Sequence, residues 1–221
     1  MKNHALFTVD VFHGGNVPGP LLKQYAQLRY ACFDREDPYV KMDHEKSMEL
    51  DQFDSLPSTL YVMVTSKKPR CKKQLVSAVR LIPTLQSYDL EQPSWAYLTQ
   101  HLVLPKSAQV VEGSRWVGKS SRTYEGAIAS ALLMLQLYQF SQERGYLKMI
   151  GVVTEKGEAW LARREANASR DGVLYAIPGD VRIMVSVIDF DTQFLAASRQ
   201  LMLDSMMHWS VSHTAVAAVM Q

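Results

Sequence analysis

Two apolar runs, TLYVMVTS (59–66) and LVSAVRLIP (75–83), flank the basic stretch KKPRCKKQ and limit the fold more than any other feature of the chain. Each is rich in β-branched and other apolar residues, and each meets turn-forming residues at its ends, which predicts a pair of strands. The basic turn between them, although long at 66–74, predicts an antiparallel hairpin over 59–82. Before it, LLKQYAQLRYACF (21–33) places Leu21, Leu22, Tyr25, Leu28 and Cys32 at helical spacing, and Asp34 to Pro38 end that helix. After it come a strand in AQVVEGSRW (108–116), a long helical stretch from Ser120 that ends at Gly145, and a strand in LKMIGVVT (147–154). EAWLARREAN (158–167) reads as a helix, GVLYA (172–176) and VRIMVSVID (181–189) as strands, and 192–210 as a helix. Residues 41–54 and 84–106 read as loop with short turns. Gly14, Gly15, Pro18, Gly19 and Pro20 break regular structure near the start, so residues 1–20 read as an ordered arm or a loose, flexible terminus. This order predicts one α/β or α+β domain over 1–221, a mixed sheet with helices packed on it.

Composition narrows the function classes. The 221 residues are 47% apolar and 21% charged, ordinary for a soluble globular chain. With 24 Lys and Arg against 22 Asp and Glu, the formal net charge is +2, which makes no case for nucleic acid as a partner. Cys32 and Cys71 form neither a metal-ligand spacing nor a disulfide framework, and His13, His44, His101, His208 and His213 form no metal pattern. No metal is expected. No signal peptide is read at the start, and no apolar run approaches the roughly 20 residues that span a bilayer. The expectation is a cytoplasmic protein with no membrane insertion.

Charge in apolar surroundings marks the candidate site. VVEGSRW (110–116) puts Glu112 and Arg115 inside a strand that otherwise reads as buried, and MELDQFD (48–54) carries Glu49, Asp51 and Asp54. Arg29 and Arg80 also lie among apolar residues, and a buried guanidinium needs a partner. Asp51, Asp54 or Glu112 would supply one. Residues 43–54 read equally as a solvated acidic loop, although Met48, Leu50 and Phe53 argue for anchoring to the core.

Taken in order, five fragments resemble the acyl-homoserine-lactone synthases, the bacterial autoinducer synthase family. They are Arg29-x-x-x-Phe33 followed by Tyr39, Glu49-x-Asp51-x-Phe53-Asp54, Arg80-Leu81-Ile82-Pro83-Thr84, Glu112-x-Ser114-Arg115-Trp116, and Glu143-Arg144-Gly145 followed by Val152-Val153-Thr154. Tyr39 and Trp116 stand where the family more often has Trp and Phe. The resemblance covers about residues 21–190. It implies a GNAT-like acyltransferase fold, a three-layer sandwich with a mixed, mostly antiparallel central sheet. It also implies N-acylation of S-adenosylmethionine from an acyl-carrier-protein thioester, followed by lactone closure with release of methylthioadenosine. No cofactor is implied, since S-adenosylmethionine is a substrate.

On that resemblance, Glu112 is the candidate general base and Arg115 its catalytic companion. Arg29, Phe33, Tyr39, Asp51, Asp54, Arg80, Trp116 and Thr154 are the candidate substrate-binding residues, with Glu49 weaker. Thr154 corresponds to a position associated with recognising an oxo group on the third acyl carbon. The helix face around Leu132 and Leu135 and the strand Met149–Val153 would line the acyl chain. Acyl carrier protein is acidic, so a basic patch should speed its docking. Arg163, Arg164 and Arg170 are preferred for this over Lys67, Lys68, Arg70, Lys72 and Lys73. Two other readings stand beside this one: a GNAT-type N-acyltransferase that uses acyl-CoA, and a non-catalytic protein that binds an acyl or adenosyl ligand.

Overall fold

The computed structural model describes residues 6–33, 42–67, 71–120, 122–164, 166, 168–177 and 181–219; side chains are described for these except at 42, 170–173 and 208–219. The elements are β1 (Leu6–His13), α1 (Gly19–Phe33), β2 (Met42–Asp43), β3 (Met48–Glu49), β4 (Leu60–Lys67) and β5 (Gln74–Pro83). Two 3-10 turns, Asp89–Glu91 and Pro93–Trp95, then lead into α2 (Ala96–Thr99). They are followed by β6 (Val110–Gly118), α3 (Tyr124–Arg144), β7 (Lys148–Thr154), α4 (Glu155–Ala162), β8 (Ala168–Ile177), β9 (Val181–Asp189) and α5 (Thr192–Val219).

Seven strands form one sheet in the order β1-β4-β5-β6-β7-β9-β8. Neighbours pair antiparallel except β6 and β7, which run parallel. Period-two alternation explains how β4 serves two layers. Leu60, Val62 and Val64 enter a core with α3, α4 and α5, through Ala129, Leu133, Met134, Leu137, Leu161 and Phe194. Tyr61 and Met63 point the other way and pack with Tyr25 of α1, together with Leu75, Ala78 and Val117. On that second face, beyond β6, the segment around Tyr88, Leu90, Trp95 and Leu98 covers Ile150, Ile183 and Val185. Helices on one face and a helix plus an irregular segment on the other make the expected three layers.

The long helix α3 shows local start and stop signals. Thr123 N-caps α3 by accepting from the Gly126 N–H at 3.1 Å, and Gly145 closes it with φ 73°, a left-handed conformation that glycine adopts without steric cost.

Several boundaries differ from the sequence reading. Leu6–His13, expected as part of an arm, pairs along its whole length with β4. Its alternating Phe7, Val9 and Val11 pack on the main core, a period-two signal overshadowed by the glycines and prolines that follow. Residues 41–54 hold the short β2–β3 hairpin rather than loop alone. α4 starts at Glu155 because Thr154 N-caps it, and α5 runs on to Val219. Among the described residues, no helix is long and apolar enough to cross a membrane.

Candidate functional site

β6 and β7 pair only at Val110↔Lys148, Val111↔Met149 and Glu112↔Ile150, and then part. Glycines occupy both strands at that point. A side chain on Gly151 would meet the Gly113 carbonyl oxygen at 2.3 Å, so the strands lie too close there for any larger residue. On its other side β6 is bulged against β5: the register slips between Ala78↔Val117 and Arg80↔Ser114, and Arg115 takes φ 52°. A left-handed conformation costs a non-glycine residue roughly 1–2 kcal/mol. The Tyr25 hydroxyl donates to the Arg115 carbonyl at 2.9 Å and holds it there. The bulge turns the Arg115 guanidinium toward Phe33, 5.9 Å from the ring centroid, and into the charged cluster described next.

Three guanidiniums and four carboxylates form that cluster. Arg29, fully buried on α1, pairs with Glu49, with Asp54 at 2.7 Å and with Asp51 at 3.4 Å. Arg80, also fully buried, donates to Asp51 at 2.5 Å, Asp54 at 3.2 Å, Asp89 at 3.1 Å and the Ser114 hydroxyl at 3.0 Å. Arg115 reaches Glu49 at 3.2 Å, Asp51 at 3.4 Å and Asp89 at 3.1 Å. The 48–54 turn is therefore not a solvated loop. The Asp51 N–H donates to Asp54 at 2.7 Å, the Phe53 N–H to Asp51 at 2.9 Å, the Thr59 hydroxyl to the Phe53 carbonyl at 2.7 Å and the Tyr61 hydroxyl to Asp54 at 2.7 Å. Phe53 anchors it in the core, beneath the Arg80 guanidinium at 5.5 Å. Burial pushes the Asp51 carboxyl up, but the charge and hydrogen bond of Arg80 outweigh it and hold the group below the ordinary carboxylate range.

Glu112 stands at the edge of this cluster, 2% exposed. Its two oxygens accept from the main-chain N–H groups of Asp89 at 2.7 Å and Leu90 at 3.0 Å. Burial, and then the charge of Asp89, push its carboxyl up to about 8, with these two N–H groups and Arg80 opposing. A carboxylate of that proton affinity is poised for proton transfer near neutral pH.

A cavity of about 540 Å³ occupies the parting between β6 and β7. Phe33, Asp89, Glu112 and Arg115 give it a charged end, and Met149, Trp160, Leu161, Ile177, Ile183 and Ile188 an apolar one. Because its walls come from the cores on both faces of the sheet, it passes through the sheet rather than lying on it.

The expected residues divide accordingly. Phe33, Glu112, Arg115, Trp116 and Thr154 line the cavity. Arg29, Arg80, Asp51 and Asp54 stand behind it as the charged lattice. Tyr39 lies outside the described residues. Thr154 N-caps α4, accepting from the Gly157 N–H at 3.1 Å, which leaves its O–H hydrogen able to donate. Of the acyl-chain residues, Met149 and Gly151–Val153 line the cavity, whereas Leu132 packs against the main core instead. Arg163 is exposed, the Arg170 side chain lies outside the described set, and Arg164 is stacked on Trp160 at 4.1 Å with a hydrogen bond to the Trp160 carbonyl at 2.9 Å. Lys73 pairs with Asp10 at 2.9 Å. Two residues were underweighted by the sequence reading. Glu49 is fully buried between two guanidiniums, and Asp89 was passed over in a segment read as loop. The signal for Asp89 was its place between Tyr88 and Leu90, an acid in an apolar triplet.

Comparison with known proteins bears on the family and the fold. A profile described as autoinducer synthase matches residues 20–198. The structure of TofI in a ternary complex with an inhibitor and MTA is 26% identical, with a TM-score of 0.69 over 86% of this chain and 96% of that one. The AHL synthase LasI is 20% identical, with a TM-score of 0.73 over 89% of this chain and 95% of that one, a likeness of fold. BjaI, a CoA-dependent acyl-homoserine lactone synthase determined with SAM and isopentyl-CoA, is 18% identical, with a TM-score of 0.71 over 89% of both chains. No curated protein sequence matches.

Proposed function

The chain belongs to the autoinducer synthase family, and from that premise we propose that it acylates the amine of S-adenosylmethionine from an acyl-carrier-protein thioester and closes the product to an N-acyl-homoserine lactone. The observation that carries this reading is charge balance at one end of a through-sheet cavity. Arg29, Arg80 and Arg115 meet Glu49, Asp51, Asp54 and Asp89, with Glu112 beside them, so acids outnumber bases. S-adenosylmethionine carries an ammonium, a sulfonium and one carboxylate, a net positive charge that such a lattice attracts. The apolar end of the cavity suits an acyl chain, and Glu112 stands at the charged end that would receive the amine.

The steps follow from these positions. Glu112, ionised, takes a proton from the substrate ammonium, directly or through one water. The freed amine attacks the thioester carbonyl, the carbon–sulfur bond breaks and the carrier thiol leaves. The substrate carboxylate then attacks the carbon bearing the sulfonium, forming the lactone and expelling methylthioadenosine. Arg115, beside Phe33, orients the acceptor, and the Thr154 hydroxyl is available to an oxo group on the third acyl carbon. Exposed Arg163 offers the acidic carrier an attachment point beside the apolar end. Cells expressing the chain should release an N-acyl-homoserine lactone identifiable by mass. A kcat/KM higher with acyl carrier protein than with the matching acyl-CoA supports the carrier as donor, and the reverse order assigns CoA.

Asp51→Asn leaves Arg80 and Arg29 less neutralised, so S-adenosylmethionine should bind about tenfold more weakly by calorimetry, the effect of one charged hydrogen-bond partner. Unchanged binding would give the 48–54 turn a structural role alone. Trp160→Ala enlarges the apolar end, so the products should shift to longer acyl chains, each added methylene that is buried contributing about 0.8 kcal/mol. A product distribution matching wild type would remove Trp160 from chain selection.

A further inference from the structure

Asp89 holds both halves of the site at once. Its main-chain N–H donates to Glu112 at 2.7 Å, while its carboxylate accepts from Arg80 and Arg115, each at 3.1 Å, and from the Trp95 indole N–H at 3.2 Å. The residue is 6% exposed and lines the cavity. The adjoining Leu90 N–H takes the other oxygen of Glu112, so the turn Asp89–Glu91 clasps that carboxylate from one side. Nothing in the helical content of this segment needs an acid there. Its turn is short, and a buried carboxylate costs desolvation that only the guanidiniums and the indole offset.

We propose that Asp89 is a positioning residue of the acyl transfer: its main chain orients Glu112, and its carboxylate fixes Arg115 and Arg80 around the cavity and sets the charge that Glu112 faces. This inference rests on the reading of Glu112 as the base. The charged groups that face Glu112 are Asp89 from the turn, Arg80 from β5 and Arg115 from its own strand; on β7 its partner is the apolar Ile150. Asp89 is the like charge among them, so it raises the proton affinity of Glu112, whereas Arg80 lowers it. Removing the charge of Asp89 both deletes the repulsion and leaves Arg80 less neutralised in its action on Glu112. The two effects have the same sign.

The test is the pH profile of kcat/KM for amide formation in the full chain, with melting temperature recorded beside it. Wild type should show a rising limb near pH 8, because Glu112 must be ionised to accept a proton. Asp89→Asn keeps the shape and the main-chain N–H but loses the charge. Its limb should move to lower pH by about one unit, with kcat reduced about tenfold as Arg115 loosens. Asp89→Glu keeps the charge, and its limb should stay near that of wild type whatever its rate. A merely structural residue would lower the rate and melting temperature without moving the limb. An unmoved limb in Asp89→Asn, or an equal shift in both variants, overturns the inference. Wild type that consumes no S-adenosylmethionine would instead overturn the functional reading beneath it, so the two failures are distinct.

Discussion

Replacing Glu112 with Gln should reduce the rate of amide formation by about 10²–10⁴-fold, the usual contribution of a positioned general base, while S-adenosylmethionine still binds within several-fold of wild type. The substitution preserves volume but replaces one acceptor oxygen with a donor. One of the N–H groups of Asp89 and Leu90 is then left without an acceptor, which should cost about 1–3 kcal/mol of stability. Stability also separates the two forms by pH. The carboxyl of Glu112 sits at about 8 in the folded chain against an ordinary 4.5. Its contribution is therefore complete below the ordinary value and is lost as pH rises through 8. Wild type should lose stability over that interval and Glu112→Gln should lose less. Single-turnover amide formation, read by mass spectrometry at several pH values, checks the first claim and thermal melts the second. A variant that forms amide at the wild-type rate removes Glu112 from the mechanism.

Arg80→Met should be the most damaging change to the fold. Arg80 is wholly buried and bonds Asp51, Asp54 and Asp89 at once, so its loss leaves those carboxylates to share only Arg29 and Arg115 in a site almost closed to water. Breaking a buried pair by removing one partner costs about 3–5 kcal/mol, a large share of the roughly 5–15 kcal/mol that holds a domain folded. A chain of this size should melt about 10 °C lower. The pH dependence should also weaken. In wild type the Asp51 carboxyl is held low, so its contribution is present at neutral pH and lost on acidification. In Arg80→Met, Asp51 loses the partner that does most to hold it low, so acidification should cost the variant less stability than it costs wild type. Calorimetric melts at pH 7 and pH 5 measure both effects; equal melting temperatures for variant and wild type would mean that the lattice does not hold the sheet and the 48–54 turn together.

Much of the architecture was legible because its signals are local. The hairpin of β4 and β5, the capped α3 and the strand β7 each announce themselves through periodicity and through Pro, Gly or Thr at the ends. The arginines were legible too: Arg29 and Arg80 in apolar surroundings implied carboxylate partners, and Asp51 and Asp54 are those partners. The rest depended on long-range geometry. Only the sheet order shows that β6 and β7 part after three residues and leave a cavity through the sheet. The bulge that turns Arg115 inward arises from register against β5, which no single strand encodes. Asp89 is joined to Arg80 and Arg115 across the fold from a turn with no periodicity of its own. Arg164 carries a cation that reads as a docking charge, and its stack on Trp160 exists only once α4 is folded.

In this mechanism clustered acids receive a cationic amine while one of them takes its proton beside a thioester. Release of methylthioadenosine tests it most directly. Purified chain given S-adenosylmethionine and acyl-carrier thioesters should release methylthioadenosine in step with free carrier thiol, and neither product should form when either substrate is omitted. Tight S-adenosylmethionine binding with no methylthioadenosine under any acyl thioester would contradict the account and leave a ligand-binding protein in its place.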